Sequence, residues 1–381
     1  DDERVKTLTG DGFIVARDLF KSEREFERTN KTVVLCNNMP RTREVSRSMK
    51  RRVIVVPFQF EANDPDPMLS KKLQNDVAIN PSIIGSIKKI PFYYWLREFY
   101  MSSVIKSKTK NKKCIYHNPN FISYKMDASI VTNVHDISFI KYPKYHPKKR
   151  VEFLTKHIKQ SIEVSDFIIT DSNFIKEEII EYFKIDSERI ISIPLAAGNN
   201  FKKINDNECN LMLSSYGLSY KKYFLSVSTL EPRKNIISAI RAYDKLPNKI
   251  QKEYPFVIVG AEGWLNSEFY NLINSLISKK KIILLGHIKE EDLPFLYSGA
   301  KLFIYPSIYE GFGLPILEAF ASGVPVITSN RSSINEIAEN SALIVNPLDI
   351  DEIYNSFLNI IDNPSYENKL VDAGFHVAES P

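Results

Sequence analysis

Short runs of β-branched and aromatic residues alternate along this chain with longer stretches in which apolar positions recur every three to four residues. In the first half the short runs are Thr32–Cys36, Val53–Val56, Cys114–Tyr116, Ser129–Val134, Phe167–Thr170 and Ile190–Ile193, and helical spacing falls near 86–106, 147–163 and 172–183. In the second half the runs are Tyr223–Ser228, Phe256–Gly260, Ile282–Leu285, Leu302–Tyr305, Pro325–Thr328 and Leu343–Val345. Helical patterns fill the gaps near 235–246, 267–279, 291–298, 315–322, 332–339 and 350–361. A run that is apolar at consecutive positions predicts a strand buried on both faces, and hence a parallel sheet with helices on each side. Two such series predict two doubly wound α/β domains. Between them lie Gly198-Asn199-Asn200, Asn205-Asp206-Asn207 and Gly217-Leu218-Ser219, a polar and turn-rich stretch. The expected division is therefore a first domain over 1–197, a linker over 198–220 and a second domain over 221–381.

Composition narrows this picture. A chain of 381 residues is too long for one compact α/β core. The 43% hydrophobic and 25% charged fractions are those of a globular protein. With no run of about 18 apolar residues, no membrane span is expected. The first residues, Asp1-Asp2-Glu3-Arg4, carry neither an initiator Met nor a signal-peptide pattern, so a trimmed chain is expected. Cys36, Cys114 and Cys209 are far apart and form no CxxC pair, which argues against zinc and disulfides and fits a cytoplasmic setting. The net charge of +5 is too mild to argue for nucleic acid. Ile87–Lys113 mixes six aromatic residues with seven lysines and Arg97. Its plain reading is an amphipathic helix followed by a basic loop. Its alternative is peripheral contact with an anionic membrane that presents an acceptor.

The densest chemistry lies in Ile304-Tyr-Pro-Ser-Ile-Tyr-Glu310-Gly-Phe-Gly313-Leu-Pro315-Ile-Leu-Glu318, read as strand, loop and helix. Pro315 suits a helix's first turn, and Gly323 suits the position after its end. Gly311 and Gly313 let backbone approach a ligand, and the N–H groups near Gly313 and Leu314 would form an anion site at the helix start. Two carboxylates beside an anion site fit a nucleotide sugar, with hydroxyls on Glu310 and Glu318 and the diphosphate on backbone N–H groups. A second block, Thr229-Leu-Glu-Pro-Arg233-Lys234-Asn235, puts two cations at a strand's C-terminal end. Cations oppose the dipole at a helix start, so a bound anion would explain them, and they would stabilise charge on a departing diphosphate. A His135-Asp136 pair closes another strand, with Tyr142-Pro143 and His146-Pro147 following.

These blocks resemble the large family 4 of retaining glycosyltransferases with the GT-B fold, in which two Rossmann-like doubly wound domains face each other across a cleft. The likeness runs through Leu225-Ser-Val-Ser-Thr-Leu-Glu-Pro-Arg-Lys-Asn, Val259-Gly-Ala-Glu-Gly-Trp, Gly286-His, Leu296-Tyr-Ser-Gly-Ala and the Glu310–Glu318 pair. It extends to Val134-His-Asp-Ile-Ser, Ile168-Ile-Thr-Asp-Ser and Ile191-Ser-Ile-Pro, and covers about 115–375. The resemblance implies that Arg233 and Lys234 hold the donor diphosphate, Glu310 contacts the donor sugar and Glu318 the ribose. It implies that Phe312, Gly313 and Leu314 offer N–H groups, that His135 lies near the sugar, and that His287–Ile288 touch the base. The first domain would bind the acceptor and the second the nucleotide-sugar donor.

The His-Asp-Ile-Ser block looks most like mannosyl- and rhamnosyl-transferring members in polysaccharide biosynthesis, which favours a GDP-sugar over a UDP-sugar and a glycan or lipid-linked acceptor. The implied mechanism is front-face displacement without a metal or other cofactor. Asp64-Pro65-Asp66 imitates a metal-binding Asp-x-Asp, but its prolines make it a turn. Thr9-Gly10-Asp11-Gly12-Phe13 followed by Ile14–Phe20 looks like the family's first glycine loop and its helix, with Gly12 against the donor, although almost no strand precedes it. Family chains often end in a helix that crosses back onto the first domain, whereas this sequence stops at Pro381. The alternative function is a non-catalytic GT-B module that binds a nucleotide sugar or a partner protein.

Overall fold

A computed structural model describes residues 13–17, 23–27, 31–34, 114–261, 263 and 267–379. Gly12, Val53–Val56, Asp64–Asp66 and Ile87–Lys113 lie outside the described residues, as does the helix expected near 86–106. Contacts divide the chain into two compact units. One comprises Asp1–Val134, Leu154–Ile169 and Glu188–Ile191; the other comprises His135–Phe153, Thr170–Ser187 and Ser192–Pro381.

The first strands, β1 (Phe13–Arg17) and β2 (Glu23–Glu27), pair antiparallel. This corrects the helix expected over Ile14–Phe20. Ile14 and Val15 are β-branched, which favours an extended backbone with a partner to pair. A five-stranded sheet follows, ordered β3 (Lys31–Val34), β4 (Cys114–Asn118), β5 (Ser129–Asn133), β6 (Phe167–Thr170) and β7 (Ile190–Ser192). The pairings β3–β4, β4–β5 and β5–β6 are parallel. Tyr116, Ile130, Ile158, Ile162 and Ile168 are buried around it. A run of hydroxyls crosses this core: Thr132 Oγ1 lies 2.6 Å from both Ser123 Oγ and Ser165 Oγ, so these buried polar groups satisfy one another.

The second unit is built on β8 (Phe224–Val227), β9 (Phe256–Val259), β10 (Ile282–Gly286), β11 (Leu302–Tyr305), β12 (Val326–Ser329) and β13 (Leu343–Val345). Their order is β10-β9-β8-β11-β12-β13, all parallel. Alternate side chains serve two cores. Phe224, Phe256, Ile258, Leu302, Ile304 and Ile327 pack on one face, and Leu225, Val257, Val259, Phe303, Tyr305 and Val326 on the other. Two buried faces explain why the sequence is apolar at consecutive positions. The chain runs outward from β8 to β10, returns to the middle at β11 and runs outward the other way. The β8–β11 neighbourhood is therefore the topological switch point, where open α/β sheets place ligands beyond the strands' carboxyl ends.

Strand bounds differ from the sequence expectation by one or two residues, and β6, β11 and β13 coincide with it. Among the described residues four helices were not expected: the short Ser138–Lys141 and Asn248–Glu253, and two longer ones. Asp206–Leu213 lies inside the stretch read as a linker, because Asn205 is an N-cap: its side chain accepts the Glu208 N–H at 2.9 Å. Its Cys209 and Leu213 belong to the second unit's core. Pro364–Glu379 packs on the Leu314–Ala321 helix, with Gly374 against the Phe320 ring.

One side chain ties three strand ends together. Asn235 sits in the left-handed region (φ 53°) after the Pro232–Lys234 turn, and its Nδ2 donates to Pro306 O at 3.1 Å and Pro347 O at 2.7 Å. Asn235→Ala loses both bonds and the one its Oδ1 accepts from Ser238 Oγ at 2.8 Å, and strains the backbone, at a cost of about 3 kcal/mol; Asn235→Gly keeps the backbone and loses only these bonds, at about 2 kcal/mol. Urea unfolding of both variants checks the values, and equal losses would show that the backbone conformation adds nothing.

Candidate active site at the switch point of the second sheet

Two loops meet at this switch point. The first leaves β8 and forms the short Pro232–Lys234 turn. The second leaves β11 and runs through Glu310 to the Leu314–Ala321 helix. One backbone and one side-chain bond staple them: the Ile308 N–H reaches Arg233 O at 2.9 Å, and Arg233 Nη1 donates to Tyr309 O at 2.6 Å. Arg233, Lys234 and Glu310, expected together from sequence, are brought together. Lys234 Nζ donates to Glu310 Oε1 at 2.8 Å and Oε2 at 3.0 Å, and Arg233 Nη1 donates to Oε2 at 3.0 Å. Arg233 Nη2 donates to Glu231 Oε1 at 2.6 Å.

All four charged groups are largely withdrawn from water. Burial works against the Glu310 charge, but Lys234 and then Arg233 outweigh it and hold the carboxyl at about 2. Burial likewise opposes the Lys234 and Arg233 charges, and Glu310 overrides it in both, so both cations stay protonated. The two cations, whose place at a helix start calls for an anion, are thus balanced in part from within by Glu231 and Glu310. The sequence did not single out Tyr305. Its hydroxyl accepts from Lys234 Nζ at 2.6 Å and donates to Glu310 Oε1 at 2.9 Å. The only signal was a polar-tipped ring closing an otherwise apolar strand.

The backbone between Glu310 and Leu314 is held at several points. Glu310 N–H donates to Ser332 Oγ at 2.8 Å, Ser333 Oγ lies 2.8 Å from Glu310 O and 2.9 Å from Phe312 O, and Ser172 Oγ donates to Gly311 O at 2.7 Å. A Cβ on Gly311 would stand 2.1 Å from His135 O, so this approach requires glycine. Gly313 (φ 122°) is the N-cap of the Leu314–Ala321 helix, and no side chain caps that helix. The N–H groups at its start, near Gly313 and Leu314, therefore keep the character of an anion site. Phe312 is buried beneath this loop.

Glu318, one turn into the same helix, lies in a different environment. It accepts from Tyr297 Oη at 2.8 Å, and among the described residues no cation is bonded to it. Burial pushes its carboxyl up to about 7; the Tyr297 bond works against that rise, and Glu290 adds to it. His287, exposed, and Ile288, half-buried, follow β10 at the same carboxyl edge of the sheet, where Gly260 N–H donates to Gly286 O at 2.8 Å.

His135 reaches the Gly311 loop, but its carboxylate partner is not the adjacent Asp136. Nδ1 lies 2.8 Å from Asp171 Oδ2, and a carboxylate can only accept, so Nδ1 carries the proton. Asp136 instead accepts the Ser138 N–H at 2.8 Å and Oγ–H at 2.6 Å. The corrected pair joins two strand ends that lie 36 residues apart in sequence. His146 is buried; burial, then Arg233 and Arg150, push its pKa down to about 4, so it is neutral beside the cluster. Tyr309 Oη donates to Glu178, and its ring meets Tyr142 and Phe174. Among the described residues no helix is long and apolar enough to cross a membrane.

Residues 216–377 match the family described as Glycosyl transferases group 1. O-antigen chain mannosyltransferase B of Escherichia coli is 38% identical over 256 residues, covering 67% of this chain and 67% of that protein. O-antigen chain mannosyltransferase RfbU of Salmonella typhimurium is 28% identical over 318 residues, covering 80% of this chain and 84% of that one. The crystal structure of WaaG, a glycosyltransferase involved in lipopolysaccharide biosynthesis, superposes with a TM-score of 0.62 at 13% identity, over 89% of this chain and 84% of that one. At that identity the fold is what is shared. Two parallel-sheet α/β units, a charged cluster at the switch point and a close mannosyltransferase likeness converge: the chain belongs to the glycosyl transferases group 1 family, a glycosyltransferase with the GT-B fold.

Proposed function

We propose that this glycosyltransferase moves a hexose, with mannose favoured, from a nucleotide-diphosphate sugar to a glycan or lipid-linked acceptor, with retention of configuration and without a metal. The observation that carries the reading is the Lys234–Glu310–Arg233 cluster at the switch point, beside a helix start that no side chain caps. The names of the two mannosyltransferases support mannose, and with it a GDP-sugar donor. Lys234 meets the diphosphate, with the N–H groups near Gly313 and Leu314 on the other side. Arg233 adds its charge while directing three N–H bonds inward. Glu310 faces the donor sugar, His135 stands near it, and Glu318 accepts the ribose hydroxyls. His287 and Ile288 border the base.

In the displacement, the acceptor oxygen bonds to the anomeric carbon on the face that the diphosphate leaves. The bond from that carbon to the diphosphate oxygen breaks with its electron pair going to the oxygen, which then takes the acceptor's proton. Lys234 and Arg233 stabilise the negative charge that grows there, in a site low in water where such charges interact strongly. Peripheral contact with an anionic membrane through Ile87–Lys113 would deliver a lipid-linked acceptor.

A thermal-shift panel of GDP-, UDP-, ADP- and TDP-sugars tests the donor. A ligand at 100 times its Kd adds about 2.7 kcal/mol to stability, and a GDP-sugar is expected to give the largest shift. Lys234→Ala and Glu318→Ala are each expected to abolish it; wild-type shifts in both variants would place the donor elsewhere. Ionisation of Glu318 gives a separate test. A carboxyl raised to about 7 is protonated below that pH and accepts hydroxyl bonds fully only above it. Donor affinity should therefore rise about tenfold from pH 6 to pH 8, since each unit below the pKa costs a factor of ten in the ionised form. Calorimetric titration across that range should show the slope in wild type and none in Glu318→Gln.

A further inference from the structure

Lys234 Nζ lies within hydrogen-bond distance of three oxygens, the two of Glu310 at 2.8 and 3.0 Å and Tyr305 Oη at 2.6 Å. An N–H that turns from Glu310 Oε1 becomes available to a phosphate oxygen. Releasing Glu310 Oε1 would strip a charge-assisted bond from a buried carboxylate, which is costly unless another donor takes over. Tyr305 Oη already lies 2.9 Å from that same oxygen. The three groups form a closed ring in which Oε1 has two donors and the phenol oxygen has both a donor and an acceptor.

Tyr305 is itself fully buried at the carboxyl end of β11, with Thr328 Oγ1 donating to its carbonyl at 2.8 Å, so its ring is fixed. Burial, with Glu310 next, raises the phenol's pKa, so the hydroxyl keeps its proton and remains a donor. We infer that Tyr305 is a positioning residue for donor binding: it keeps Glu310 satisfied while Lys234 turns an N–H from Glu310 to the diphosphate. This rests on the donor reading of the site given above and names the group that makes its central lysine available.

The role predicts an energetic coupling that a purely structural residue would lack. GDP is titrated calorimetrically into wild type, Tyr305→Phe, Lys234→Ala and the double variant, at concentrations high enough that the Lys234→Ala backgrounds, too weak to give a thermal shift, still bind measurably, with UDP used if the donor panel favours it. Tyr305→Phe is expected to weaken binding about tenfold when Lys234 is present and less than twofold in the Lys234→Ala background. Equal losses in both backgrounds, or no loss in either, would overturn the inference while leaving the site intact. Unchanged binding in Lys234→Ala would overturn the donor reading and the inference with it. Melting without ligand identifies a variant that does not fold. Should Tyr305→Phe be one, Tyr305→Met, apolar and adaptable, answers the same question.

Discussion

Two cations and two carboxylates sit largely out of water where β8 meets β11, and burial makes each depend on the others. An ion taken from water loses several kcal/mol of hydration, which only close partners with good geometry restore. Arg233 reaches Glu231, Glu310 and a carbonyl, while Lys234 reaches both Glu310 oxygens and Tyr305. Much of the surrounding structure serves that geometry. Asn235 holds its left-handed turn against two strand exits. Ser332 and Ser333 anchor the backbone at Glu310 from the next crossover, and Gly311 lets the loop close on the His135 carbonyl. Loss of one member would leave its partner charged and buried, so the cluster acts as a unit.

The sheet order explains why this cluster can form from residues 76 apart. In an open parallel sheet the loops at the carboxyl edge diverge on either side of the switch point, leaving a crevice between the first and fourth strands of the unit. Lys234 comes from the loop after the first of these strands and Glu310 from the loop after the fourth. The cations and Glu310 thus meet without any long excursion of the chain. Neither loop could supply both signs of charge and the N–H groups alone.

Consecutive apolar positions made the second unit legible in the sequence, because its strands have no solvent face to break the pattern. The Arg233–Lys234 and Glu310–Glu318 blocks were legible because each combines turn residues with charges at a strand's carboxyl end. What sequence hid was partner choice. Asp136 looked like the partner of His135 by adjacency, yet neighbouring residues on an extended segment point apart, and Asp171 from the next strand lies closer. Tyr305 was taken into the apolar count of β11, because a phenol's hydrogen bonds leave no trace in periodicity. Asn205-Asp206-Asn207 read as loop composition, although the same residues start helices. A cap and a turn use the same short polar side chains, and only the apolar Cys209 and Leu213 that follow distinguish them. At Ile14–Phe20 the family pattern favoured a helix where β-branched residues pair as a strand.

Glu310 and Glu318 show how environment divides labour between identical groups on one loop and helix. Glu310 is surrounded by cations and held ionised at about 2, so no change of pH in the physiological range alters it. Glu318 is half-buried against Tyr297, with no cation bonded to it among the described residues, and is raised to about 7. Pairs of carboxyls driven apart in this way mark sites where each has a separate task. The first suits a permanent negative charge that organises Lys234 and Arg233. The second suits a group whose charge is easily gained or lost, and whose hydrogen bond from Tyr297 leaves other lone pairs available for hydroxyls. Exchanging their surroundings would exchange their roles without altering a carboxyl group. The chemical content of this motif therefore resides less in its two glutamates than in the lysine, arginine and tyrosines that the sheet topology brings to them.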